Sequence, residues 1–516
     1  MKKLKSVLLV LLALAVAMPA AGCFSNKKNL EGKLAIAMLD AGFGTAWMDE
    51  IVEKFIDENP GVEVDVDKSG TVSATFESQI KSGPRHNETD LYILQQVNFK
   101  KYGEENYTVD GVKYDSLLED LTGIYEAKVP GEDKKLIDKM KPEYVEFFRN
   151  DNGKFYAMPM ISGPSGFVYN VDLFEENKVL WGLAEKDSDP LVMPDNTDDF
   201  LAMIARIYQK SVVEVEDAAD RIYPLTWTGK VPSYWNTVEF ALFAQYAGYN
   251  GYKDFWQGKD SLGRLSPEGF ASLGRLEVMK FIEGIVAPKD SEGNALGNVM
   301  DGYCYPNSIQ LSHTDSQTYF MDGKAAITVV GNWLEREMEK DYPRGSKNIA
   351  VMKMPVLSAA LEKYADDPAK LAEIKSLQFS LGPMIMGAIP VYSKEKELAK
   401  EFLQFMAKEA SIEALVRESL ALSPFEFEPT EEFLAATTPF HRSQFEIDKT
   451  AKYVFDEKFS SKLFYRNESL NFYPNNTFPI DLLSSTNLAA RKTPQEIFES
   501  QLAYVRGNWS TFVAKL

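Results

Sequence analysis

The stretch Leu34–Val66, LAIAMLDAGFGTAWMDEIVEKFIDENPGVEVDV, decides the fold. It opens on an apolar run of strand length, Leu34 to Leu39. Trp47, Met48, Ile51, Val52, Phe55 and Ile56 then recur on one face at helical spacing. Asn59-Pro60-Gly61 stops that helix, because proline cannot extend the backbone hydrogen bonding. Val62, Val64 and Val66 alternate with acids, the period of a strand buried on one face. A second helix is predicted around Thr75–Lys81 and a third strand at Leu91–Leu94. Strands and helices alternating in this way open a mostly parallel sheet with right-handed crossovers.

Helical patterns dominate the middle of the chain. Residues 267–286 place Phe270, Leu273, Val278, Phe281, Ile282 and Ile285 at helical spacings, with Pro267 at the start. Later, Ser393 is placed to cap a helix with Glu395 and Glu397 in its first turn. Leu398, Ala399, Phe402, Leu403 and Met406 form its apolar face. No repeat or low-complexity linker divides the chain. Lobes whose strands pass between them more than once are therefore expected.

The 516 residues are 45% hydrophobic and 12% aromatic, enough for large cores and too apolar for a disordered chain. The net charge of −20 argues against nucleic acid and against docking on anionic lipid through a basic surface. Residues 1–22 read as a secretory signal peptide. Lys2, Lys3 and Lys5 precede an apolar run from Val7 to Ala17, then Ala20-Ala21-Gly22. That run is too short to span a bilayer. Cys23 follows directly, in a pattern that resembles the bacterial lipoprotein lipobox. The resemblance implies lipidation of Cys23, a tether over 23–32, and a body held at the outer face of the cytoplasmic membrane by acyl chains. Cys304 is the only other cysteine, so a disulfide framework is excluded and Cys304 reads as a small buried residue.

Signatures of catalysis are sparse. His86, His313 and His441 show no zinc-ligand spacing. Gly163-Pro164-Ser165-Gly166 lacks the spacing of a nucleophile elbow. Gly42-Phe43-Gly44 follows a strand as a dinucleotide turn would, but Trp47 stands where the third glycine belongs. A turn there is still suited to present backbone N–H groups to a ligand. Residues 290–301 hold several acids at no EF-hand spacing. No metal or cofactor is called for. Aromatics crowd Tyr223–Trp256. Phe240 and Phe243 read as core, whereas Tyr234 and Trp235, just after Pro232-Ser233, are placed to face a cleft. Flat rings suit the C–H faces of sugars, and Asn, Gln, Asp and Arg suit their hydroxyls.

Several segments, in order, resemble the extracellular solute-binding protein family of ABC sugar importers. Gly153-Lys154-Phe155-Tyr156-Ala157-Met158-Pro159 with Tyr169-Asn170-Val171-Asp172-Leu173-Phe174-Glu175-Glu176-Asn177 is similar to the family's "GKxYxxP … YNKDLFEENG". It departs at Val171 and Lys178. Phe320-Met321-Asp322-Gly323-Lys324-Ala325-Ala326-Ile327 with Gly331-Asn332-Trp333 is similar to "FxxGKAAMxxxGxW". Met386–Ser393 leading into Lys396–Ala407 completes the set. The resemblance implies an α/β, two-lobed periplasmic-binding-protein type II fold with three hinge crossings, near Pro159–Gly166, Thr328–Gly331 and Met384–Val391. It assigns 33–160 plus 332–385 to an N-terminal lobe and 161–331 plus 386–516 to a C-terminal one. Glycines at each crossing suit backbone that bends.

The ligand is expected between the lobes. Trp333 is expected to stack on a sugar, with Tyr234 and Trp235 opposite, and Gln95, Gln96, Asn98 and Asp40 as polar contacts. Extra length around 100–150 and 440–480 is placed to lengthen or cover the groove. The expected function is a monomeric, lipid-anchored receptor that catalyses nothing, taking a carbohydrate to ABC permease subunits. The alternatives are an extracellular polysaccharide-acting glycosidase, which needs two carboxylates facing one cleft, and a lipoprotein presenting ligand to a sensor.

Overall fold

The computed structural model describes residues 30–95, 97–381, 385–473 and 477–516. The lipobox and Cys23 lie outside them. The strands, in chain order, are β1 (Glu31–Met38), β2 (Gly61–Asp67), β3 (Leu91–Leu94), β4 (Tyr107–Val109), β5 (Val112–Tyr114), β6 (Met158–Pro159), β7 (Pro164–Asn170), β8 (Tyr223–Thr226), β9 (Ala325–Val330), β10 (Ile349–Val351), β11 (Leu377–Ser380), β12 (Met386–Ala388) and β13 (Lys452–Val454). They form two mixed sheets and the β4–β5 hairpin. The first sheet runs β2-β1-β3-β12-β6. The second runs β13-β11-β7-β9-β8, with β10 also on β7.

In the opening segment β1 pairs in parallel with both β2 and β3. The helix between β1 and β2 spans Ala46–Glu58 and buries Trp47, Met48, Ile51 and Phe55, the face the spacing implies. The next spans Val72–Ser82. The predicted helix over 267–286 divides into a tight turn, Pro267–Ala271, and an α-helix, Leu273–Val286. Ser393 does not cap the later helix, Lys396–Met406. Its hydroxyl accepts the Glu395 N–H at 3.1 Å and donates to Asp90 at 2.6 Å, fastening the segment to the start of β3.

The expected lobe division is corrected by strand pairing. β10 and β11, between 349 and 380, belong to the second sheet, and β12 belongs to the first. β12 lies antiparallel between β3 and β6. The helix after it packs where the apolar face dictates: Phe402 and Phe405 meet Phe55 edge-on at 5.0 and 5.1 Å. Only after this does the chain return to the second sheet, at β13 beside β11. Residues 331–342 leave the second sheet after β9 and carry Trp333, Leu334 and Met338 into the core of the first, before β10 rejoins the second.

The crossing between β6 and β7 contains Gly163, whose φ of +118° suits glycine. A Cβ there would lie 2.5 Å from the Asn332 amide. Asn332 fills that space by donating to the Ser162 carbonyl at 2.7 Å and to Gln444 Oε1 at 3.3 Å, so two crossings are cross-linked by one buried amide.

The second core is rich in aromatics. Phe240, Phe243, Phe255, Trp256 and Phe472 contact one another. Fully buried Arg275 sits 5.3 Å from the Phe472 ring and donates to Gln501 Oε1 at 2.8 Å. It thereby ties the segment around 472 and the C-terminal helix, Pro494–Val513, to the lobe. The two regions of extra length meet each other: Lys462 pairs with Glu104 and Asp151, and Arg466 with Glu105.

Candidate functional site

A cavity of about 410 Å³ opens where strand exits of both sheets converge. This is where open α/β sheets present ligand contacts. The β1 exit supplies Asp40 and Gly42, and the β3 exit supplies Gln95. From the other side come Ser233, Tyr234, Asn236 and Thr237, with Phe379 and Leu381 at the end of β11 and Asp456 just past β13. The 331–342 excursion adds Trp333 and Glu337.

Local geometry sorts the aromatics. Pro232–Trp235 is one 3₁₀ turn leading into the helix Asn236–Ala247. Successive side chains of such a turn diverge by about 120°, so Tyr234 and Trp235 cannot share a surface. Tyr234 turns to the cavity. Its ring stands at 85° to that of Trp333, centroids 5.6 Å apart. Trp333 is 6% exposed and also meets Phe43 at 6.2 Å. The two rings form a flat-walled corner. Burial, with the charge of Glu337, raises the Tyr234 phenol, which stays protonated.

The polar groups surround that corner. Asp40 Oδ1 accepts the N–H groups of Gly42 and Gly44 at 3.2 and 3.1 Å. The backbone donors of this glycine turn are therefore satisfied within the turn. Glu337 accepts from Gln317 at 2.7 Å. Asp456 is partly buried. Desolvation pushes its carboxyl up to about 6 against the opposing Lys458 N–H and charge, with Glu457 adding to the rise. Neither histidine nor cysteine lines the cavity. Among the described residues no group of three or more His, Cys, Asp or Glu is arranged to hold a metal. The arrangement suits capture of a polyhydroxylated molecule: flat apolar faces on one side, acceptors and amides around them.

Residues 41–413 match the family model of the bacterial extracellular solute-binding proteins. This chain belongs to that family. No curated protein matches this solute-binding protein by sequence. Solved structures do match in fold. RafE of Streptococcus pneumoniae in its apo form aligns with a TM-score of 0.58 at 16% identity, over 93% of this chain and 98% of that one. The ABC substrate-binding protein of Listeria monocytogenes in complex with cycloalternan gives 0.58 at 16%, over 93% and 100%. A chitin oligosaccharide binding protein gives 0.58 at 17%, over 92% and 98%.

In this solute-binding protein the expected ligand contacts divide. Trp333, Tyr234, Gln95 and Asp40 all line the cavity. Trp235 does not. It is fully buried against Trp227 and Phe167, with ring centroids 6.1 and 6.4 Å away, so it is a core residue. Asn98 precedes the helix Phe99–Glu104 and lies outside the cavity wall. Gln96 lies outside the described residues. Sequence reading missed Asn236, Glu337, Asp456, Phe379 and Leu381. Asn236 adjoins the flagged Tyr234-Trp235 pair, and Asp456 lies within the long 440–480 region. Those were the only signals available for them.

Proposed function

We propose that this protein is the ligand-capturing receptor of an ABC importer for a carbohydrate, an oligosaccharide rather than a single sugar. The observation that carries this reading is the right-angled Trp333–Tyr234 corner, ringed by Asp40, Gln95, Asn236 and Asp456 contributed from both sheets. Ligand bridging the two walls favours the closed form by its extra contacts there and shifts the population toward it. The closed form then delivers ligand to permease subunits in the membrane. The protein acts as a monomer without cofactor or chemistry of its own. Cys23, lipidated after removal of residues 1–22, holds it at the outer face of the cytoplasmic membrane. No helix among the described residues is long and apolar enough to cross a membrane.

The test is titration of residues 24–516 with neutral mono- and oligosaccharides, followed by tryptophan fluorescence and thermal melting. The expected result is saturable binding that is lost in Trp333→Ala, with the sugar recovered intact. Sugar recovered cleaved would replace this reading with a glycosidase, and silence toward every sugar would end the carbohydrate assignment. Anchoring is checked by metabolic labelling with palmitate, expected in the full chain and absent in Cys23→Ala.

A further inference from the structure

A second cavity, of about 440 Å³, lies beside the first. Two segments reach both. After β3, Gln95 lines the first and Lys100, in the helix Phe99–Glu104, lines the second; after β13, Asp456 lines the first and Glu457 the second. An aromatic pair stands between them. Phe240 of the first cavity meets Trp256 of the second edge-on, with ring centroids 5.4 Å apart. Both rings are buried in the second core, so a ligand that occupied both cavities would run past this packed pair along the segments that follow β3 and β13.

The second cavity differs in charge. In a chain of net charge −20 its lining holds five cationic side chains and three acidic ones, with Glu104 and Asp254 paired to two of the cations from just outside the lining. Four of the cations are engaged. Lys253 pairs with Glu146, and Lys462 pairs with Asp151 at 3.0 Å and Glu104 at 2.8 Å. Lys259 pairs with Asp254 at 3.5 Å. Arg149 lies 4.7 Å from the Phe155 ring. Lys100 has no ion pair, hydrogen bond or ring contact among the described residues. Burial pulls its ammonium down, and the more distant charges of Glu457, Asp151 and Glu104 hold it up. Glu457 is itself raised by burial and turned toward Ser460, which weakens it as a counter-charge. A desolvated cation without a contact is costly, and an arriving anion would remove that cost.

We infer that the second cavity is an anion subsite, in which Lys100 receives the carboxylate of an acidic sugar unit while a neighbouring unit of the same oligosaccharide fills the first cavity. The solute is then a uronate-bearing oligosaccharide. This rests on the carbohydrate reading above and narrows it.

The test compares short oligogalacturonides, the same oligomers as neutral methyl esters, and inorganic phosphate, by calorimetry on residues 24–516. The acid is expected to bind at least about tenfold more tightly than the ester, with the preference shrinking as salt rises. Lys100→Gln should collapse the acid-to-ester ratio toward one, and Lys100→Arg should keep most of it. A melting curve for each variant separates lost binding from lost folding. Esters and acids bound alike, or a ratio untouched by Lys100→Gln, would overturn the subsite and leave the carbohydrate reading standing. Phosphate alone stabilising the protein as well as the oligouronate does would replace it with a site for free anions. No response to any sugar, acidic or neutral, would overturn both readings.

Discussion

The two walls of the main cavity are made of different material. The first sheet contributes strand-exit loops: Asp40 to Gly42 after β1, held by the turn's own hydrogen bonds, and Gln95 after β3, whose N–H donates to the Ser73 hydroxyl at 3.2 Å. The second contributes Tyr234, Asn236, Thr237 and Phe240, carried on a helix whose far side is packed in aromatic core. One aromatic crosses this division. Trp333 belongs to the excursion into the first core, yet it meets the Tyr234 ring of the opposite wall. The contrast teaches where each contribution to binding lies. The helix-borne wall is preformed and costs little ordering on binding; in the closure proposed above, the loop wall is the part brought to it. Trp333 is the piece that registers whether the two have met.

The sharpest way to break this comparison is to truncate one tryptophan on each side of the surface. Trp235→Ala should lower stability by about 3–5 kcal/mol, because a fully buried indole leaves a cavity in the second core. Urea unfolding measures it. Binding by the fraction still folded should change little. Trp333→Ala, which also removes a buried indole, should lower the urea midpoint too, but unlike Trp235→Ala it should cost about 2 kcal/mol, near 30-fold, of sugar affinity by calorimetry. If Trp235→Ala removed binding while leaving stability intact, the assignment of these two residues to core and site would be inverted.

Those two residues also show how far the sequence could be read. The opening strands and helices were legible because both periods, two and 3.6, sit in one uninterrupted stretch with a Pro-Gly stop between them. Membership of later strands was not. β10, β11, β12 and β13 are three or four residues each, and which sheet each joins depends on pairing with strands about 75 to 300 residues away. No local pattern encodes that, and this is why the expected lobe boundary was exchanged. Within the site, Tyr234 was legible as an aromatic just after Pro232-Ser233, and Trp333 through the resemblance of Gly331-Asn332-Trp333 to the family's motif. Trp235 was not separable from Tyr234, since the direction of adjacent side chains turns on the 3₁₀ geometry of Pro232–Trp235. Asp456 carried no signal beyond its place in the long 440–480 region, because its position in the cavity comes from β13 pairing with β11.

A smaller perturbation tests how Trp333 is held. A Cβ at Gly331 would fall 1.6 Å from the Trp333 ring, so Gly331→Ala must swing the indole or shift the backbone between β9 and the excursion. Packed interiors do not absorb such an overlap, and the ring is the mobile partner. About tenfold weaker sugar binding is expected, with the fold retained. Fluorescence of a variant keeping Trp333 as the reporter should show its emission shifted before any ligand is added. Unchanged emission together with unchanged affinity would mean that the corner is not positioned by this close approach.

The smallest effect expected belongs to Asp456, and its sign can be worked out. Desolvation raises its carboxyl to about 6, from an ordinary value near 3.8. Between those values the folded protein holds a proton that the unfolded chain releases, so this group's contribution to stability is complete at low pH and declines as pH rises toward 6. Ligand binding should run the other way. A sugar hydroxyl donating to Asp456 needs the carboxylate, of which only about a tenth is present at pH 5. Affinity should therefore rise by up to about tenfold between pH 5 and 7 and then level off. Asp40 and Glu337 face the same cavity, so the profile is attributed by comparison with Asp456→Asn. In that variant the rise should flatten and the acid-side stability trend should disappear. A profile that keeps its slope in Asp456→Asn would move the titrating group, and with it the hydroxyl acceptor, to the other wall.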